Sequence, residues 1–374
     1  MKKYLFSLLL CFTATAFAAD EHYAIYIDAG STGSRIHLYQ YNQENNKTNI
    51  KEIFTEKVKP ALSYYADSPE QAPQSLKKAL DDAVIQLKKL NVNEKEVSLN
   101  ILATAGMRLL PEKKQQNIYS SIKKELQQHY HFANGKVETI PGKMEGLYDW
   151  LSLNYLEGNF DLDKTTLGAI DMGGASTQIA FETKDTSKPE DEIQFKYGNK
   201  IYHVFSKSYL GLGMNEALTP VKQNKNGDTC FPADSIMSGQ VFNQSVCSEI
   251  YLSLIDQYKV SQQLISFKDT RFALFSGAYY VYNFFGIEDG SQSSLDARVK
   301  TICSMTWDEM KKTYKDANIP EDILFTYCAN GVYLSKLFYD TYHLTPSQVW
   351  VTEKAHNNQP IDWTLGALLL DVNQ

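Results

Sequence analysis

The 374 residues carry 37 Lys and Arg against 44 Asp and Glu, a formal charge of −7, with 43% hydrophobic and 12% aromatic residues. That composition is globular. The acidic balance and the absence of any basic stripe exclude a nucleic-acid partner, because binding to a phosphate backbone draws most of its strength from clustered Lys and Arg.

The chain opens with Lys2 and Lys3, an apolar run from Tyr4 to Phe12, and Ala16-Phe17-Ala18. This is the pattern of a cleaved secretory signal peptide over residues 1–18. The run is shorter than the roughly 20 residues a spanning helix needs, and Leu10 before Cys11 does not suit a lipoprotein cleavage site. The best later apolar candidate, Leu365 to Val372, makes only about two helical turns. A secreted or periplasmic protein without a stable membrane anchor is expected. Loss of Lys2 and Lys3 would take the charge from −7 to −9.

Tyr23 to Ile27 predicts a buried strand running into a tight turn at Asp28-Ala29-Gly30, with a returning strand through Ile36 and Leu38 and a weaker third over Glu52 to Lys59. Leu76, Ala79, Leu80, Ala83, Val84, Leu87 and Leu90 recur at helical spacing. A strand over Val97 to Leu102 ends at Ala103-Thr104-Ala105-Gly106. A helix near Pro111 to His129, a strand at Lys136 to Ile140 and a helix after Glu145 follow. Thr165 to Ile170 then repeats the opening move, ending in Asp171-Met172-Gly173-Gly174, with a returning strand from Ile179 to Phe181. The two Asp-x-Gly turns, at Asp28 and Asp171, are 143 positions apart, a self-similarity that suggests two related lobes. About 355 mature residues also exceed one usual core. No low-complexity linker divides them, so tightly joined lobes are expected.

Without Cys11, four cysteines remain. The shortest closures pair Cys230 with Cys247 and Cys303 with Cys328, each contributing roughly 3 kcal/mol. Four free thiols are the alternative, disfavoured by an oxidising compartment. A zinc site is disfavoured because no C-x-x-C occurs and the histidines are scattered.

Each Asp-x-Gly turn offers a carboxylate at a strand end followed by small residues whose backbone N–H groups admit a ligand closely, a build suited to phosphates. In the first loop Ser31, Thr32 and Ser34 add hydroxyls and Arg35 a forked cation; ordinary turn chemistry is the bland alternative. Two aspartates could hold the waters of a divalent cation, which keeps several waters when bound by one or two carboxylates. Glu145, where a strand gives way to a helix, could activate water, or could simply cap the helix. Arg108 could meet phosphate or pair with an acid.

Five segments resemble, in order, the apyrase conserved regions of the nucleoside triphosphate diphosphohydrolases: Asp28 to Arg35, Ala103 to Leu110, Glu145 to Leu156, Asp171 to Ile179, and Phe275-Ser276-Gly277. Ser208 to Gly213 and Trp363 to Gly366 resemble further segments. The resemblance implies an α/β fold of two ribonuclease H-like lobes, as in actin, the sugar kinases and the heat-shock chaperone ATPases, with nucleotide in the cleft between them. Lobe I would comprise residues 19–145 with about 352–374, and lobe II residues 146–351. It implies hydrolysis of nucleoside di- and triphosphates with a divalent cation, Mg²⁺ or Ca²⁺, with Mn²⁺ as a further candidate; a monomer is expected. Carried over by position, Glu145 is the general base, and Ser176 and Gln178 hold the attacking water. Asp28 and Asp171 position the hydrated metal. Ser31, Thr32, Gly33, Ser34, Arg35, Thr104, Gly173, Gly174 and Ala175 grip phosphate. Tyr333 is the candidate for stacking on the base, with Tyr279 and Tyr280 behind it. Met144 departs from the acid the family usually has before the catalytic glutamate. An exopolyphosphatase-like enzyme and a slow nucleotide-switched binding protein remain as rivals, since fold does not fix chemistry.

Overall fold

The computed structural model describes residues 20–44, 47–160, 164–235 and 240–373; the expected signal peptide lies outside them. β1 (His22–Ala29) is apolar on both faces because it is covered on both. Ile25 and Ile27 face one core, whereas Ala24 and Tyr26 face another. β1 pairs antiparallel with β2 (Ser34–Glu44), and β2 with β3 (Lys47–Val58). On its other side β1 runs parallel to β4 (Ser98–Ala103), and β4 to β5 (Val137–Thr139). The first sheet therefore has the order β3-β2-β1-β4-β5. α1 (Ala72–Lys89), the short α2 (Ala105–Arg108) and α3 (Glu112–His129) follow in sequence around these strands. The residues of α1 expected to form its apolar stripe, from Leu76 to Leu87, are buried against this sheet.

The second sheet repeats the plan. β6 (Gly168–Met172) pairs antiparallel with β7 (Ser176–Glu182), and β7 with β9 (Lys200–Leu210), beyond which lies β8 (Glu192–Tyr197). On the other side β6 runs parallel to β10 (Phe272–Ser276), and β10 to β11 (Val349–Val351). In both sheets a hairpin supplies the first two strands and parallel partners return through helices. The expected duplication is thus present as topology. The outer face of the second sheet carries α5 (Met214–Gln223), α6 (Gln244–Gln257), α7 (Val260–Gln263), α8 (Gly277–Phe285), α9 (Gln292–Cys303), α10 (Trp307–Thr313), α11 (Glu321–Leu324) and α12 (Tyr327–Ser335). Both predicted disulfides form there, Cys230–Cys247 and Cys303–Cys328, with all four cysteines buried.

Two helices join the halves. α4 (Gly142–Leu156) packs on β6, β7 and β9, and also against α13 (Trp363–Asn373), which reaches back to β1 and β3. α4 is buried nearly all round, from Glu145 to Asn154, as a helix enclosed by protein must be. One apolar cluster consequently runs from Tyr26 and Tyr39 of the first sheet through Trp150, Leu151 and Leu368 to Ala169 and Ala180 of the second. Met144 packs against this cluster. An apolar residue just before Glu145 is therefore used as packing. Among the described residues, no helix is long and apolar enough to cross a membrane.

Candidate active site

The two Asp-x-Gly turns occupy equivalent places, at the tips of β1–β2 and β6–β7. Their cross-strand partners match too: Asp28 faces Arg35, and Asp171 faces Gln178. The turns meet. A side-chain carbon on Gly174 would stand 2.8 Å from Ser31 Oγ and 3.3 Å from Thr32 Cγ2, so the second loop approaches the first with a closeness only glycine allows. The second loop is pinned by N–H groups of Gly211, Met214 and Asn215, which donate to the carbonyls of Ala175, Gly173 and Gly174 at 2.8–2.9 Å. Thr104, directly after β4, donates its N–H to Ala29 O (3.2 Å) and so borders the first loop. Ser31 is half-buried and Thr32 exposed, whereas Gly33 and Ser34 are buried, with Ser34 Oγ shielded from solvent.

Glu145 was expected on the connection just before a helix; it lies in the first turn of α4, only 6% exposed. Gln178 Nε2 is 3.1 Å from Glu145 Oε2, 2.8 Å from Ser176 Oγ and 3.0 Å from Ser208 Oγ. Glu145, Ser176 and Gln178 therefore form one polar cluster at the strand ends. Arg108 Nη2 donates to Glu145 Oε2, and its Nη1 donates to Ser208 Oγ at 3.4 Å. Of the two readings of Arg108, the structure selects the ion pair. Burial raises the Glu145 carboxyl to about 7; the Arg108 charge opposes that shift and Asp171 reinforces it.

Asp28 and Asp171 each present a shielded Oδ1 with no protein partner. Burial lifts both carboxyls, Asp171 to about 6 and Asp28 well above its ordinary range. Acceptors left in this state suit a hydrated cation, whose waters would supply the missing donors. Among the described residues, no three His, Cys, Asp or Glu side chains converge tightly enough to ligate one ion directly. Holding through water is the arrangement these two residues fit.

One expectation needs correction. Tyr333 is 0% exposed, and its hydroxyl donates to Leu212 O at 2.6 Å inside the outer core. No base can reach its ring. Tyr280, by contrast, is 50% exposed on α8, with its hydroxyl donating to Glu353 Oε1 at 2.8 Å; Tyr279 beside it is half-buried, and the two rings meet edge to face.

Several contributors were not foreseen. Asp362, just before α13, stands 3.3 Å from Arg35 Nη1 and 3.3 Å from His37 Nε2. Burial would raise its carboxyl, but His37 and Arg35 hold it well below the usual range. Burial would lower the His37 pKa, yet Asp362 and Glu52 lift it to about 9. Arg35, expected to grip phosphate, thus shares its charge with Asp362 while its side chain stays 42% exposed. Asp149, one turn beyond Glu145 on α4, is 1% exposed. Ser276, at the end of β10, has a positive φ of 56°, an uncommon backbone for a serine. Periodicity could not have flagged Asp362, whose partners Arg35 and His37 are more than 300 positions away.

The family model for the GDA1/CD39 (nucleoside phosphatase) family matches residues 15–234 and 240–374. The chain belongs to the GDA1/CD39 family. Within that family it is 28% identical to probable apyrase 3 of Arabidopsis thaliana, covering 94% of this chain and 82% of that protein. It is 26% identical to ectonucleoside triphosphate diphosphohydrolase 1 of Bos taurus, over 95% and 82%. A nucleoside triphosphate hydrolase of Neospora caninum shares the fold at a TM-score of 0.65 and 15% identity, over 95% of this chain and 93% of that one. A Ppx/GppA protein of Aquifex aeolicus shares it at 0.56 and 14%, over 95% and 100%. This GDA1/CD39 member therefore has the two-lobed α/β architecture, and its paired turns lie where the lobes meet.

Proposed function

We propose that the protein removes the terminal phosphate from nucleoside di- and triphosphates by in-line attack of water in the cleft between residues 19–145 with 352–374 and residues 146–351. The observation that carries this reading is the meeting of two Asp-x-Gly turns, Gly174 against Ser31, beside a buried glutamate. The N–H groups and hydroxyls of Ser31, Thr32, Gly33, Gly173, Gly174 and Ala175, with Ser34, Thr104 and Arg35, hold the phosphate chain. Glu145 takes the proton from the attacking water, which Ser176 and Gln178 orient. Asp28 and Asp171 would hold a hydrated Mg²⁺ or Ca²⁺, with Mn²⁺ as a substitute, and the cation would neutralise charge developing on the phosphoryl oxygens. Tyr280 replaces Tyr333 as the aromatic surface for the base. Family membership and the names of the relatives support nucleotide as substrate, and the cysteine bridges support an oxidising, extracytoplasmic setting.

The test is phosphate release from a panel of ATP, ADP, GDP, UDP and long-chain polyphosphate as separate substrates with Mg²⁺ or Ca²⁺, with EDTA as control. We expect turnover of di- and triphosphates and its near-complete loss in EDTA, as a metal-dependent step requires. Polyphosphate turnover exceeding that of ADP would instead favour an exopolyphosphatase.

A base near 7 fixes the acid limb of the pH profile. A carboxyl is competent only when ionised, so kcat/KM should fall tenfold per pH unit below about 7. Arg108 stabilises the ionised form; Arg108→Ala should shift that limb to higher pH, measured as the midpoint of log(kcat/KM) against pH. An unmoved midpoint would refute the electrostatic role of Arg108.

A further inference from the structure

Asp28, Asp149 and Asp171 differ from the acids beside them in making no ion pair among the described residues. Glu145 is paired with Arg108, and Asp362 with Arg35 and His37. Each of the first three has one shielded oxygen without a hydrogen-bond partner: Asp28 Oδ1, Asp149 Oδ2 and Asp171 Oδ1. Asp149 is the least expected of them. It lies four residues after Glu145 on α4 and hence on the same helical face. Burial pushes its carboxyl well above the ordinary range, and the neighbouring carboxylates of Asp171, Glu145, Asp362 and Asp28 push it the same way. A carboxylate buried to 1% exposure among four others is costly unless something positive or hydrogen-bond-donating meets it.

We propose that Asp149 is a third carboxylate of the cation site, accepting hydrogen bonds from the waters of the metal's shell alongside Asp28 and Asp171. The proposal rests on the reading of Asp28 and Asp171 as cation-positioning residues. It adds that α4, the helix bearing the base, also holds the metal. Base and cation are thereby fixed to one rigid element four residues apart. Asp149 is a positioning residue: it acts through the metal's water, not on the substrate.

The experiment measures Mn²⁺ affinity by the EPR signal of free Mn²⁺, with a saturating non-hydrolysable β,γ-imido analogue of ATP, for the wild type, Asp149→Asn and Asp28→Asn. Both variants should bind Mn²⁺ about tenfold more weakly, the lower end of what loss of an outer-shell partner costs a metal site. Saturating Mn²⁺ should also raise the melting temperature of Asp149→Asn by less than that of the wild type. Weakened binding in Asp28→Asn together with wild-type binding in Asp149→Asn would overturn the role of Asp149 alone. Unchanged binding in both would overturn the cation reading beneath it. If Asp149→Asn fails to fold, Asp149→Ser gives the same comparison with a smaller side chain.

Discussion

Glu145→Gln is expected to lower kcat about a thousandfold while leaving the fold intact. General-base catalysis contributes between about 10² and 10⁴ in rate, and a thousandfold corresponds to about 4 kcal/mol of barrier. Glutamine keeps the volume and can still accept from Arg108, so the packing of the first turn of α4 is unchanged. Two electrostatic effects on stability oppose each other: Arg108 loses its counter-charge, and the repulsion from Asp171 disappears. The measurement is steady-state turnover of ADP at pH 8, with circular dichroism and a melting curve for each protein. Turnover within tenfold of wild type would remove Glu145 from the chemistry.

Removing both disulfides should have the largest effect on stability. The bridges close loops with sequence separations of 17 and 25, and each such closure restricts the unfolded chain by about 3 kcal/mol. Replacing all four cysteines by alanine should therefore cost roughly 6 kcal/mol. For a lobe of this size that lowers the melting temperature by roughly 10–20 °C. The loss should be local. All four cysteines lie in the outer core of the second sheet, so faster hydrogen exchange should appear in residues 164–351 and spare β1 to β5. Equal melting curves for the oxidised protein and the alanine variant would show that the bridges contribute nothing.

The pattern of the chain made the first sheet legible almost strand by strand, because β1, β2 and β4 are apolar runs bounded by turn residues, and α1 carries a clean stripe. The two hairpin tips were legible because Asp-x-Gly is local chemistry. The helical face of the second sheet was not read in detail; its helices are enclosed by one another and by the bridges, so their apolar residues do not form the one-sided stripe that betrays a surface helix. Glu145 was found but placed on the connection just before a helix, since Pro141-Gly142 reads as a turn when in fact it starts α4. Tyr333 was misassigned for a physical reason: an aromatic ring near the right elements looks the same in sequence whether it faces a cleft or a core, and only its 0% exposure decides. Asp362 was not seen, and Arg108 was read as a possible ion-pair residue without its partner, because the contacts join residues separated by 327 positions in one case (Arg35 and Asp362) and 37 in the other (Arg108 and Glu145).

Arg108 follows β4 in the first sheet's half, whereas Glu145 rides on α4, which packs on the second. The pair is therefore a tie across the mouth of the cleft as well as a means of setting charge. Loss of Arg108 would therefore remove a link between the two halves at the same time as it strengthens the hold of Glu145 on its proton.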